Sequence, residues 1–368
     1  MGADTMRVLQ ILYSGLGGHG SVAFSLAAAA RSEGDWQNAF IFLGIEPTLP
    51  EYQAACATAG HPQIEVRTRP GAPWLSWGHL YRAMARLQPE AIVLHSVKAI
   101  IPCTLYARRY GIPLVAVEHQ PNVLKSPAEW WVSRRLQTWA DAVVVLTAQY
   151  RSDLQIALGT HWKDDQVHLI PNGIDTRVFS PISRHERCSV RTIGMAARMT
   201  TMKRQEVLID ALASLSRDGD DSWRLSLAGD GETCGALRAH AEARGVQDAV
   251  EFTGFLGEPD LVRWFQRIDF YAHASNGETL STSLLQALAM GLPIIGSDVP
   301  GINDLLAEDA GVGLLVSQEA AAFAAAFRKL EADPAGAEAL GSRARKLAVD
   351  EFSNDVMFAR YNRLIASL

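Results

Sequence analysis

Ala142-Val143-Val144-Val145-Leu146 decides the fold of this chain. Five consecutive apolar residues, with no polar alternation, make a strand covered on both faces, which is the condition of a parallel sheet between two helix layers. Outward toward the amino terminus, similar short runs predict strands over 7–13, 39–43, 64–66, 91–94 and 114–117. Amphipathic helical patterns occupy most of the gaps, including 20–32, 77–87 and 127–139. A βαβ series of this kind winds into a doubly wound parallel sheet.

Toward the carboxyl terminus the pattern stops and restarts. Residues 171–190 are rich in Pro, Ser and Arg with weak periodicity, which reads as a linker. Strands are then expected over 191–195, 224–228, 250–252, 270–272, 293–296 and 313–316, again separated by helices. The expected architecture is α/β, with two doubly wound Rossmann-like domains facing a central cleft, where ligands meet the carboxyl ends of the strands. The boundaries are 1–180, 181–352 and a terminal helix, 353–368, packing back on the first domain.

Composition fits this reading. A chain of 368 residues is too long for one ordinary core. With 48% hydrophobic and 20% charged residues it is globular and not disordered. Cys56, Cys103, Cys188 and Cys234 form no CxxC pair, which argues against a zinc site or a disulfide framework and fits a reducing cytosol. No signal peptide opens the sequence, and the nearest approach to a membrane span, 91–107, carries His95 and Lys98. Net charge is −6: residues 1–180 hold 15 basic and 14 acidic residues, and the remainder 19 and 26. The acidic second half excludes a general nucleic-acid binder.

Five motifs carry chemistry. Gly15-Leu16-Gly17-Gly18-His19-Gly20 follows the first strand. Its glycines let backbone N–H groups approach an anion at a helix start, or else they only make a tight turn. The spacing satisfies GxGxxG, but the acid that a dinucleotide site needs is poorly matched by Glu46, 26 residues past Gly20. Glu118-His119 ends the strand 114–117 as a polar pair pointing into the cleft. His119 suits a sugar hydroxyl as a neutral imidazole, or satisfies a backbone group. In the stretch 168–175, Asn172 and Gly173 are expected to supply a left-handed turn at the domain exit. Arg198 and Lys203 lie five residues apart at a strand end, as a diphosphate clamp or as solvated surface charges. Finally, Glu278-Thr279-Leu280-Ser281 leads into a helix whose free N–H groups suit a phosphate, with Gln286 about two turns inside.

These motifs, in this order, resemble glycosyltransferase family 4, the retaining GT-B nucleotide-sugar enzymes. The resemblance spans nearly the whole chain and is strongest over 141–180 and 193–306. It is carried by IPNGIDTRVF at 170–179, Arg198 with Lys203, Gly229-Asp230-Gly231, 250–254 and 278–301. By resemblance, Arg198 and Lys203 would bind the donor diphosphate and Glu278 the donor sugar. The Gly17-Gly18 loop would lie beside donor and acceptor, and His119 close to the transferred sugar. One departure stands out: the family usually has a second glutamate eight residues after the first, bonding the ribose, and here that position is Gln286.

The expected activity is transfer of a hexose-like sugar from a nucleotide-diphosphate donor, with retention, to a glycan or lipid-linked glycan in bacterial surface polysaccharide synthesis. Neither cofactor nor metal is expected, since two cations and a helix end can neutralise the leaving diphosphate. The alternatives are another GT-B enzyme (an inverting transferase or a sugar-nucleotide epimerase), an NAD-dependent oxidoreductase using Gly15–Gly20, and a silent binding subunit suggested by Gln286. The segment 125–139 combines Lys125, Arg134 and Arg135 with Trp130, Trp131 and Trp139; Trp74, Trp77, His79 and Arg82 form a similar mixture. This suits peripheral contact of a cytoplasmic enzyme with an anionic membrane, or else Trp131 and Trp139 share a core-facing side of one helix.

Overall fold

A computed structural model of the chain describes residues 5–15, 18–120, 125–182, 190–216, 221–307 and 311–368. Contacts divide it into two compact units: Met1–Gly173 with Asn354–Leu368, and Ile174–Ser353.

In the first unit the order is β1 (Met6–Tyr13), α1 (Gly18–Glu33), β2 (Trp36–Gly44), α2 (Pro50–Ala59), β3 (Gln63–Arg67), α3 (Trp77–Leu87), β4 (Ala91–Leu94), α4 (Ile100–Tyr110), β5 (Leu114–Val117), α5 (Pro127–Trp139), β6 (Ala142–Val145), α6 (Ala148–Leu158) and β7 (Val167–Leu169). The second unit continues with β8 (Arg191–Ala196), α7 (Gln205–Ser216), β9 (Trp223–Ala228), α8 (Cys234–Arg244), β10 (Val250–Gly254), α9 (Glu258–Arg267), β11 (Phe270–His273), α10 (Thr282–Ala289), β12 (Ile294–Ser297), α11 (Asn303–Leu306), β13 (Leu314–Val316), α12 (Ala320–Ala332) and α13 (Pro334–Phe352). The chain then returns to the first unit as α14 (Asn354–Ala366), where Trp36 Nε1 donates to Asn362 Oδ1 at 2.9 Å and Trp36 packs edge-on against Phe358.

All described pairings between these strands are parallel, and the sheet orders are β3-β2-β1-β4-β5-β6-β7 and β10-β9-β8-β11-β12-β13. The apolar runs explain why. β4, β5 and β6 are buried along their whole length, and β2 alternates between two cores: Ile41 and Leu43 on one face, Phe40 and Phe42 on the other. Two covered faces remove any need for polar alternation. In each sheet the winding reverses once, between β1 and β4 and between β8 and β11. Ligand crevices form at the carboxyl ends of strands beside such reversals.

Two expectations about the region after β7 change. The 171–190 segment does not behave as a bare linker in its described part. Ile174 pairs with Ser353, Phe179 is buried, and Arg345 donates to the carbonyls of Thr176 and Phe179. The unit boundary therefore falls after Gly173 and not at 180. Nor does Asn172-Gly173 make a left-handed turn, because neither residue has a positive φ. Gly173 is needed for close approach instead: a Cβ there would lie 3.0 Å from the Asn354 Cα and 3.0 Å from the Met357 Cε at the start of α14.

Candidate active site

In the second unit, the reversal between β8 and β11 brings together two loops far apart in sequence. Lys203 bridges to Ser275, Arg204 N donates to the Ala274 carbonyl at 3.1 Å, and Asn276 N donates to the Met202 carbonyl at 2.9 Å. The loops are thus joined along their backbones. That join places the Lys203 Nζ as a donor to Glu278 Oε1, with both side chains largely buried. His273, the fully buried last residue of β11, places Nε2 2.8 Å from the same oxygen, and its Nδ1 lies 3.1 Å from the Tyr271 hydroxyl.

Burial alone would raise the Glu278 acid, but the Lys203 ammonium and the His273 ring outweigh it and hold the carboxyl at about 2. Burial lowers the His273 ring, the carboxylate opposing it. The Glu278 backbone is fixed as well. Its N–H donates to the Pro300 carbonyl at 3.0 Å, and Gly301, at φ +83, leaves no room for a Cβ against the Glu278 carbonyl oxygen. The carboxylate is thus preorganised from both sides.

Arg198 is exposed, five residues before Lys203. Its carbonyl accepts from Gln205 Nε2 at 3.3 Å, and its guanidinium has no ion-pair partner among the described residues. The neighbouring Met199 N donates to the Asp230 carbonyl at 2.9 Å, so the Gly229-Asp230-Gly231 turn holds the Arg198 loop in place. Thr279, Leu280 and Ser281 are nearly buried before α10, and Ser281 stands at its N-cap without a side-chain capping bond. Uncapped first-turn N–H groups attract an anion. Gln286 is buried and is the fifth residue of α10, little more than one turn inside and not the two expected.

The first unit gathers a second group at the carboxyl ends of β1, β4 and β5. His95 Nδ1 lies 2.9 Å from His119 Nε2, and the His19 and His119 ring centroids are 6.3 Å apart. Burial, reinforced by the neighbouring His19, pushes the His119 ring down to about 3, and burial lowers His19 and His95 too. These imidazoles are neutral at physiological pH and are not a metal set: among the described residues no such cluster is placed to hold an ion. Gly18 opens α1, while Gly17 lies outside the described residues. Glu46 is taken up by the Tyr13 hydroxyl, which donates to its Oε2 at 2.8 Å.

Glu118 does not join His119 as a polar pair in an open site. It is buried with Lys125 Nζ at 3.1 Å, the Ser133 hydroxyl donating at 2.6 Å and the Tyr150 hydroxyl near its other oxygen. The Lys125 side chain is only 1% exposed and sits over the Trp130 and Tyr150 rings, which removes it from any surface role. The two remaining tryptophans of α5 divide. Trp139 packs against the core, while Trp131 is 44% exposed and meets Trp139 edge-on at 5.6 Å, with the Arg135 guanidinium over both rings.

Residues 16–178 match the family described as Glycosyltransferase Family 4, and residues 186–347 match that described as Glycosyl transferases group 1. Among curated proteins, the chain is 25% identical to the MMP alpha-(1->4)-mannosyltransferase of Mycolicibacterium hassiacum, over 74% of this chain and 69% of that protein. It is 27% identical to a GDP-mannose-dependent alpha-mannosyltransferase of Mycobacterium tuberculosis, over 62% and 60% respectively. Among solved structures, Anabaena HepE in complex with UDP superposes with a TM-score of 0.82 at 18% identity, over 99% of this chain and 100% of that one. Sucrose-phosphate synthase from Thermosynechococcus elongatus gives 0.79 at 18% identity, again over 99% and 100%.

Proposed function

Since the chain belongs to glycosyltransferase family 4, with a group 1 glycosyltransferase second half and a GT-B fold, we propose that it transfers a hexose-like sugar from a nucleotide-diphosphate donor, with retained configuration, to a glycan or lipid-linked glycan acceptor in bacterial surface polysaccharide synthesis. The observation that carries this reading is the Lys203–Glu278–His273 group beside the uncapped start of α10. It combines a cation for a leaving diphosphate with a carboxylate held ionised for sugar hydroxyls. Arg198 supplies a second cation. Charge on the departing phosphate is then met by preorganised groups, which is where most of such a rate enhancement arises. The acceptor attacks from the face that the phosphate leaves, and a phosphate oxygen takes the acceptor proton. With that charge already met by protein groups, no metal is required.

A thermal-shift screen of UDP-, GDP-, ADP- and TDP-sugars identifies the donor, because a ligand of the native state raises Tm. The anomeric configuration of the product, read by NMR, then tests retention. An inverted product removes the retaining assignment.

Gln286 bears on donor affinity. If it holds the ribose, Gln286→Glu retains activity or tightens donor binding, since a carboxylate makes the stronger charge-assisted bond. Gln286→Ala is expected to raise the donor KM with kcat little changed. An unaltered KM in the alanine variant assigns Gln286 to packing.

The location proposed is the cytoplasm, with loose contact at the inner face of the cell membrane through the first unit. Exposed Trp131 under Arg135, together with Trp74 at 57% exposure, supports this: rings at headgroup depth and cations against anionic lipid are the usual interfacial pairing. Co-sedimentation with anionic but not neutral liposomes at low salt is the expected result. If no protein sediments with either, a soluble acceptor is the better assignment.

A further inference from the structure

Tyr271 and His273 lie two residues apart on β11, so they share one face of a strand that is buried along its whole length. Both side chains are fully buried. Polar groups in such a place are costly unless they are bonded, so their partners carry the explanation. The Tyr271 hydroxyl lies 3.3 Å from the Ala196 carbonyl at the end of β8 and 3.1 Å from His273 Nδ1. His273 Nε2 in turn lies 2.8 Å from Glu278 Oε1. The contacts run in series from the backbone of β8 to the carboxylate.

The carboxylate end of this series fixes its protons. Glu278 is held ionised, and a carboxylate oxygen only accepts, so His273 Nε2 carries a hydrogen and donates it. Turning the ring over would set carbon atoms at both contacts and lose both bonds, so the order does not depend on a choice of ring face. Burial lowers the His273 ring, and the Lys203 ammonium at the same oxygen adds to this against the pull of the carboxylate. The ring is then neutral, Nδ1 is bare, and the Tyr271 O–H donates to it. Lys203 and His273 both donate to Glu278 Oε1, and among the described residues nothing donates to Oε2.

We propose that Tyr271 and His273 are positioning residues: a neutral His273, with its hydrogen on Nε2 and its Nδ1 bound by the Tyr271 hydroxyl, holds Glu278 by Oε1 and so gives Oε2 to the donor sugar. The sugar contact rests on the function proposed above; the proton position does not. A carboxylate held by one oxygen from two sides cannot exchange its oxygens without losing both bonds. A sugar hydroxyl therefore meets one acceptor in one place, which is what an oriented reaction needs.

The first test is a long-range 1H–15N correlation spectrum of 15N-histidine-labelled, unliganded protein at neutral pH, with His273 assigned from the signals lost in His273→Gln. Wild type is expected to show a hydrogen on Nε2 and none on Nδ1. Tyr271→Phe should keep that tautomer, with the Nδ1 resonance moved by loss of its donor. A ring protonated at Nδ1 or at both nitrogens, or an unmoved Nδ1 in Tyr271→Phe, overturns the proposal. No sugar nucleotide is present, so an error in the donor assignment leaves this spectrum unaltered. The second test is a double-mutant cycle on turnover. His273→Leu is expected to lose about 10- to 100-fold in kcat, as for one hydrogen bond to a charged group, and His273→Gln, which keeps an N–H donor, to recover most of it. In a Glu278→Gln background His273→Leu should cost little more, because it acts through the carboxylate. Equal losses in both backgrounds would make His273 a packing residue and overturn the proposal. Should His273→Leu fail to fold, the wild-type and Tyr271→Phe spectra still decide.

Discussion

Lys203→Ala is expected to lower turnover by at least ~100-fold, comparable to removing one preorganised donor from an oxyanion site. Lys203 is a direct partner of Glu278 and follows the exposed Arg198 by five residues. In the function proposed, its ammonium would act twice, on the departing diphosphate and on the carboxylate that orients the sugar. Removing it leaves Glu278 with His273 alone and lets the acid rise from about 2. The defect should appear in kcat and in donor affinity together. Arg198→Ala, which disturbs no ion pair among the described residues, should affect donor affinity with stability unchanged. Near-normal turnover in both variants would exclude the pair as the diphosphate clamp.

Glu278→Gln should be similarly damaging, by about 100-fold, since a misoriented sugar alone can cost that much. It also carries a stability signature with a defined sign. The Glu278 pKa lies near 2 in the folded protein against an ordinary 4.5, so folding binds the ionised form more tightly. That contribution is complete above pH 4.5 and fades as pH falls toward 2. A shift of this size corresponds to about 3 kcal/mol. Wild type should therefore exceed Glu278→Gln in unfolding free energy at pH 7, and the gap should narrow at pH 3. Chemical denaturation at the two pH values measures it. A gap independent of pH would mean that the Lys203 and His273 partners do not bias this carboxyl.

Much of the fold was readable because buried parallel strands are short apolar runs, a pattern that needs no partner information. The runs at 91–94 and 114–117 coincide with β4 and β5, while 142–146 overran β6 by one residue. The site was readable only in parts. Lys203 and Glu278 each stand at a strand's carboxyl end, a local feature. Their contact spans 75 residues and depends on β8 lying beside β11, which no local pattern displays. His273 and Tyr271 looked like the end of an apolar strand, and the only available signal was a histidine placed where a hydrophobic residue would serve. Lys125 misled for the opposite reason. Amid tryptophans and arginines it looked interfacial, yet the buried Glu118 draws it inward. Gly173 suggested a turn by residue type, whereas its actual constraint is the packing of a helix nearly two hundred positions later.

Calorimetric titration with UDP, GDP, ADP and TDP, on wild type and on Lys203→Ala, tests most directly whether the second unit holds a donor diphosphate through this lysine. One nucleotide should bind wild type and weaken by about 10- to 100-fold in the variant, as expected for losing one charge-assisted contact. Binding of none of the four, or equal affinity of wild type and Lys203→Ala for the one that binds, would contradict it.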